Sequence, residues 1–186
     1  MVLLDATTLL LFLSPTAAVP IDPLTNLPIE HAYKRVEHLV KTLEAKRTRI
    51  LIPTPAMSEV LVRAGDAGKA YVQRIERSSV FRFVSFDMRA AIEVALMTKD
   101  ALDSGNKRGE ADGTWAKIKY DRQIVAIAKV NGVEAIYSDD SNVISFAARH
   151  NIPVIRLCEC PIPIDALQGN LSLGEQNAEQ SPKSRA

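Results

Sequence analysis

Four short acidic segments carry the chemistry this chain is equipped for. Asp5 stands in VLLDATTLL, Glu59 in LIPTPAMSEVL, Asp121 in KYDRQIVAIA, and Asp139 and Asp140 adjoin in AIYSDDSNV. Asp5, Glu59 and the Asp139-Asp140 pair follow or closely trail an apolar run that reads as a strand. Asp121 opens a helix-like run. Carboxylates at strand ends and helix starts can converge at one edge of a parallel sheet. A pocket of four carboxylates repels itself and calls for a hard cation, which points to Mg2+ or Mn2+.

Each acid also has a plainer explanation. Asp5 suits a helix N-cap, Glu59 an exposed helix face, and Asp121 the first turn of a helix, where it favours the dipole. A lone Asp5 among Val, Leu and Thr is nevertheless costly to bury unless it is hydrogen-bonded, paired or on a metal. Thr7 or Thr8 could bond Asp5 or a metal-bound water. Of Asp139 and Asp140, only one can comfortably point into a pocket at a strand end, and the other then caps the following helix. Ser138 is placed to steady the inward one.

The elements that must position these residues alternate. Apolar, β-rich runs predict strands over 2–5, 49–53, 80–86, 133–138 and 153–157. Helical spacing predicts helices over 6–13, 29–48, 55–64, 69–78, 88–102, 117–130 and 141–149, with Thr54 as an N-cap before Pro55. Segment 14–28 holds four prolines and reads as an irregular insert; 103–114 reads as a polar loop. Alternation of this kind implies an α/β fold: a three-layer α/β/α sandwich around a mostly parallel five-stranded sheet. The expected organisation is a single domain over 1–166 and a disordered tail over 167–186.

Composition narrows the classes. With 186 residues, 47% hydrophobic and 24% charged, the chain reads as a soluble globular protein. A net charge of +1 gives no global electrostatic case for nucleic-acid binding, although basic residues such as Arg74, Lys117, Lys119 and Arg122 could form a local rim. Cys158 and Cys160 lie too close together for a usual disulfide and are too few for a zinc site, so reduced thiols and a cytoplasmic location are expected. The apolar N-terminal stretch lacks a basic lead and is too short to span a membrane, so no membrane association is expected.

Taken in order, LLDAT, SEVL, DRQIVAIA and SDD resemble the acidic motifs of the PIN-domain family, over roughly residues 1–157. The nearest group looks like the VapC-type ribonuclease toxins and their stand-alone bacterial relatives. That resemblance implies that Asp5, Glu59, Asp121 and Asp140 form the acidic quartet, with Asp139 as a neighbouring further ligand candidate. It implies Mg2+- or Mn2+-dependent endonucleolytic cleavage of single-stranded RNA, a homodimer, and an antitoxin protein as partner. Lys119 and Arg122 flank Asp121 and could meet phosphates; Thr7 and Ser138 complete the substrate-contacting candidates. Two features depart from a compact toxin: the insert 14–28, readable as a lid or clip over the site, and the C-terminal extension.

Two other readings compete. A haloacid-dehalogenase-like phosphatase would use Asp5 as nucleophile and Lys117 or Lys119 to hold phosphate, but Thr7 stands where its second Asp belongs. A PIN-like module that only binds RNA or protein would have to tolerate four convergent carboxylates without a metal.

Overall fold

A computed structural model describes residues 1–105, 113–164 and 166. The strands are β1 (Val2–Leu4), β2 (Ile50–Pro53), β3 (Phe81–Val84), β4 (Ala135–Tyr137) and β5 (Val154–Ile155). The helices are α1 (Ala6–Leu13), α2 (Ala32–Ala45), α3 (Thr54–Ala64), α4 (Gly68–Glu76), α5 (Met88–Asp103), α6 (Trp115–Val130) and α7 (Ser141–Ala148). Short 3-10 turns occupy Gly65–Ala67 and Leu157–Glu159. The expected tail over 167–186 and most of the expected loop over 103–114 lie outside the described residues.

All five strands pair in parallel, in the order β3-β2-β1-β4-β5. The chain thus winds outward from β1 through β2 to β3, then returns to the other side of β1 for β4 and β5. The reversal leaves a crevice beyond the C-terminal ends of β1 and β4, where folds of this kind receive ligands. Leu4 stands opposite Tyr137, and the Asp5 amide donates to the Tyr137 carbonyl at 3.2 Å. Asp5 and Ser138 therefore leave the sheet side by side.

Successive residues of a strand face opposite sides. Leu3 and Leu4 are both fully buried, as are Ile50, Leu51 and Ile52, so helices cover both faces of the sheet centre. Each such side chain contributes on the order of 1.5–3 kcal/mol by leaving water. β1 closes against β2 and β4, α1 packs on α2 and α3, and α6 packs between α5 and α7 while also touching α3. The last arrangement brings α3, α6 and the start of α7 to the crevice.

Local chemistry sets where the helices begin. Asp5, Asp87, Thr114 and Asp140 each cap a helix through a side-chain oxygen that accepts a backbone N–H. The Thr114 cap starts α6 at Trp115 rather than at 117. Thr54 is not the cap expected of it: α3 begins at Thr54 itself, and the Thr54 hydroxyl accepts the Phe86 amide at 3.3 Å. Helix α2 is shorter than the pattern 29–48 predicts, because His31 and Arg47 take left-handed backbone angles at its two ends.

The proline-rich insert folds back on itself. The Asp22 amide donates to the Leu27 carbonyl at 2.8 Å, the Ile29 amide to Pro20 at 3.0 Å, and Tyr33 Oη ties the base of the loop to the Ala17 carbonyl at 2.5 Å. Its tip leaves Leu24 91% exposed.

Candidate active site

At the crevice lies an open cavity of about 470 Å3. Asp5, Ala6 and Thr7 reach it from the β1–α1 junction; Ser58, Glu59, Val62 and Arg63 from α3; Lys117, Tyr120, Asp121 and Ile124 from α6; Asp140 and Val143 from the start of α7. The α6 contribution follows i, i+3, i+4, i+7 spacing, so it is one face of one helix. All four acids of the expected quartet thus face one cavity, together with Thr7.

Each acid is engaged differently. Asp5 is buried, with Oδ1 accepting the Thr8 amide at 2.8 Å and Oδ2 accepting the Ser138 hydroxyl. Burial pushes the Asp5 carboxyl up from the ordinary 3.8 to about 6, against the pull of the Ser138 and Thr8 hydrogen bonds. Asp121 is also buried, and its Oδ2 accepts from Lys117 Nζ at 3.1 Å and from Asn142 Nδ2 at 2.9 Å. Burial holds its pKa above the usual range, and the nearby Asp140 charge adds to that, while Asn142 and Lys117 oppose it. Asp140 divides its work: Oδ1 caps α7 through the Asn142 amide at 2.8 Å, and Oδ2 accepts from Lys117 Nζ at 2.5 Å. Glu59 stands half-exposed at the rim and pairs with Arg63 at 2.6 Å.

Lys117 is therefore the cation on which two of the four carboxylates converge. Burial works against its charge, but the Asp140 and Asp121 carboxylates outweigh that and hold its pKa above the ordinary value. Among the described residues, no group of three or more His, Cys, Asp and Glu side chains stands ready to hold a metal ion. Asp5 and Glu59 are instead engaged by Ser138 and Arg63, and Asp121 and Asp140 share Lys117. The donor chemistry still fits a hard divalent ion, because Asp121 Oδ2 and Asp140 Oδ2 are carboxylate oxygens already directed at one positive centre.

Several candidates lie elsewhere. Asp139 turns away from the cavity, and its Oδ1 accepts the Leu157 amide at 3.2 Å beneath the 3-10 turn. Its Oδ2 is buried without a hydrogen-bond partner, and burial raises its pKa. Asp140, not Asp139, is both cap and cavity residue, so the expected division of labour between the pair does not occur. Ser138 is 1% exposed and serves Asp5 rather than a substrate. Arg122 is buried on the neighbouring face of α6, stacked on Trp115 and Phe146 and donating to Thr98 at 3.2 Å. Lys119 Nζ sits 5.4 Å over the Trp115 ring and is not a cavity residue. No residue of the insert 14–28 lines the cavity, so it is not a lid over it.

Two functional neighbours were not anticipated in these roles. Asn142 follows Asp140 by two residues and reaches back to Asp121. Lys117 precedes Asp121 by four residues, a spacing already inside the predicted helix over 117–130, but its second partner Asp140 lies 23 residues away on α7.

No family model and no curated protein matches the sequence. Solved structures do resemble the fold. A chain of VapBC2 from Rickettsia felis, bound to a DNA fragment from its promoter, superposes with a TM-score of 0.55 at 12% identity, over 84% of this chain and 98% of that one. A chain of DNA-bound VapBC from Salmonella typhimurium superposes with a TM-score of 0.53 at 18% identity, again over 84% and 98%. The three-layer α/β/α, PIN-like architecture is thus shared with chains of these VapBC complexes.

Proposed function

We propose that this chain is a metal-dependent endoribonuclease acting on single-stranded RNA, with Asp5, Glu59, Asp121 and Asp140 as its acidic centre. The observation that carries this reading is the convergence of Asp121 Oδ2 and Asp140 Oδ2 on one cationic position within a cavity that Asp5 and Glu59 also line. Asp121 and Asp140 would hold Mg2+ or Mn2+. Such an ion supplies a Lewis acid for the scissile phosphate and lowers the pKa of a bound water.

The chain's own residues do the rest. Asn142 fixes the Asp121 carboxylate from one side, and the α7 amide fixes Asp140 from another, so neither acid needs to reorganise on use. Ser138 and the Thr8 amide hold Asp5 at the cavity floor. Glu59 at the rim is the acid best placed to exchange protons with solvent. Tyr120 is 48% exposed beside Asp121 and offers an aromatic face to an unstacked base.

Partner proteins follow from the likeness to the VapBC complexes. We infer an antitoxin partner and a homodimer. The exposed apolar row Met88, Ile92 and Leu96 on α5 supports a protein-facing surface. Among the described residues no helix is long and apolar enough to cross a membrane.

The non-catalytic alternative gains one point from the structure. Lys117 already offsets part of the charge of Asp121 and Asp140, so a metal is not the sole cation that can sit between these acids. The test is Mn2+-supplemented cleavage of a mixed single-stranded RNA pool by wild type and Asp121→Asn. Cleavage by wild type, lost in the variant, supports the nuclease. Cleavage by neither favours the binding module.

A further inference from the structure

We propose that Lys117 is a built-in counter-ion that occupies the divalent position between Asp121 and Asp140, and that a metal ion must displace its ammonium to load. This rests on the nuclease reading above and adds a competitor that the acidic motifs do not contain.

The helix does not place Lys117 there by itself. It lies in the first turn of α6, where a positive charge opposes the helix dipole, and it stands on the N-terminal side of Asp121, the less favoured order for an i, i+4 pair. What draws it inward comes from outside its own turn: Asp140, 23 residues away on α7, takes its ammonium at 2.5 Å. The same nitrogen reaches Asp121 at 3.1 Å, so one ammonium satisfies two carboxylates from two helices.

The stem is seated as well. A Cβ at Gly113 would come within 3.3 Å of Lys117 Cδ, and Gly113 has a φ of +103°, which glycine alone adopts easily. Yet the lysine side chain keeps 46% of its exposure, so solvent lies open to the ammonium once it is displaced. An ammonium is a single charge with three N–H donors; a divalent ion presents twice the charge to the same two oxygens. The exchange leaves Lys117 on the cavity wall with its charge released toward the space where a substrate phosphate would enter.

Two carboxylates directed at one point repel each other, and Lys117 offsets part of that repulsion. The device sets a threshold: low divalent concentrations leave the lysine in place.

The experiment measures Mn2+ binding to the full chain by electron paramagnetic resonance, for wild type, Lys117→Met and Asp121→Asn. Breaking two charge-assisted hydrogen bonds weakens wild-type binding, so Lys117→Met should bind Mn2+ about tenfold tighter or more. Without metal, Lys117→Met should melt below wild type and regain the loss on adding Mn2+. Equal or weaker binding by Lys117→Met, with binding by wild type intact, overturns the displacement while leaving the nuclease reading in place. No binding by either protein overturns both.

A second measurement needs no variant. Acetylation of Lys117 in the wild type, read by mass spectrometry at limiting acetic anhydride, should rise with saturating MnCl2, with exposed Lys119 as internal reference. An unchanged Lys117-to-Lys119 ratio means that the ammonium has not moved and overturns the proposal.

Discussion

Asp139 and Asp140 are consecutive residues that belong to two different regions. Asp140 opens into the cavity at the C-terminal edge of the sheet, where every acid has a donor. Asp139 turns under the Leu157–Glu159 turn, where one of its carboxylate oxygens is buried and unmatched. In the cavity, charge is gathered, partly balanced by Lys117 and Arg63, and hydrogen-bonded by Ser138 and Asn142. Beneath the turn, a half-buried carboxylate is held by one backbone amide and the nearby Arg156 charge. The lesson is that a paired acidic motif at a strand end divides its residues between a working face and a packing face, and only the former can be used.

The largest expected effect breaks the cavity side of this comparison. Asp121→Asn should reduce cleavage of single-stranded RNA by at least about a hundredfold, since it removes a carboxylate oxygen proposed to hold the metal and now held by Asn142 and Lys117. Asp139→Asn should leave the rate within about twofold, because the residue touches neither cavity nor donor set. Comparable losses in both variants, measured as initial rates, would erase the distinction between the two regions.

Next in size is a stability effect at Asp5. Its folded pKa of about 6 lies above the ordinary 3.8, so the folded state holds the proton more tightly than the unfolded state. Stability from this group is fully present below about 4 and is lost as pH rises through about 6; two pKa units correspond to roughly 3 kcal/mol. Asp5→Asn keeps an oxygen for the Thr8 amide and presents an amide to the Ser138 oxygen. It should therefore flatten the fall in melting temperature between pH 4 and 7 and melt above wild type at pH 7. A wild-type profile that climbs through that window would contradict the buried-acid description.

Smaller effects sharpen the picture. Tyr120→Ala should raise KM for single-stranded RNA about tenfold with little change in kcat, as expected for loss of one base-stacking face. Asp139→Asn should stabilise the fold by about 1 kcal/mol at neutral pH, because burial, which raises the Asp139 pKa despite the Leu157 amide and Arg156, no longer opposes a charge, while Oδ1 can still accept the Leu157 amide. Urea titrations at fixed pH measure it.

Much of this was legible in the sequence, for reasons that can be named. Short Val-, Leu- and Ile-rich runs bounded by prolines, glycines and caps marked all five strands, because centrally buried strands need apolar residues on both faces. The positions of Asp5, Glu59, Asp121 and Asp140 relative to those runs placed them at one sheet edge. Other features depended on contacts that no local pattern encodes. The start of α6 turned on Thr114, which looked like part of the polar loop before it, and the Lys117 bond to Asp140 depended on how α7 packs against α6. Asp121 and Arg122 are neighbours about 100° apart on a helix, so one enters the cavity and the other packs between aromatic rings. The choice between Asp139 and Asp140 depends on how β4 meets β5 and the turn after it.

The central claim is that the cavity acids hold a divalent ion. Thermal melting with and without MnCl2, on wild type, Asp121→Asn and Asp139→Asn, tests it most directly. A rise in melting temperature for wild type and Asp139→Asn, absent in Asp121→Asn, is the predicted result. No rise in any of the three, or an equal rise in all of them, would contradict it.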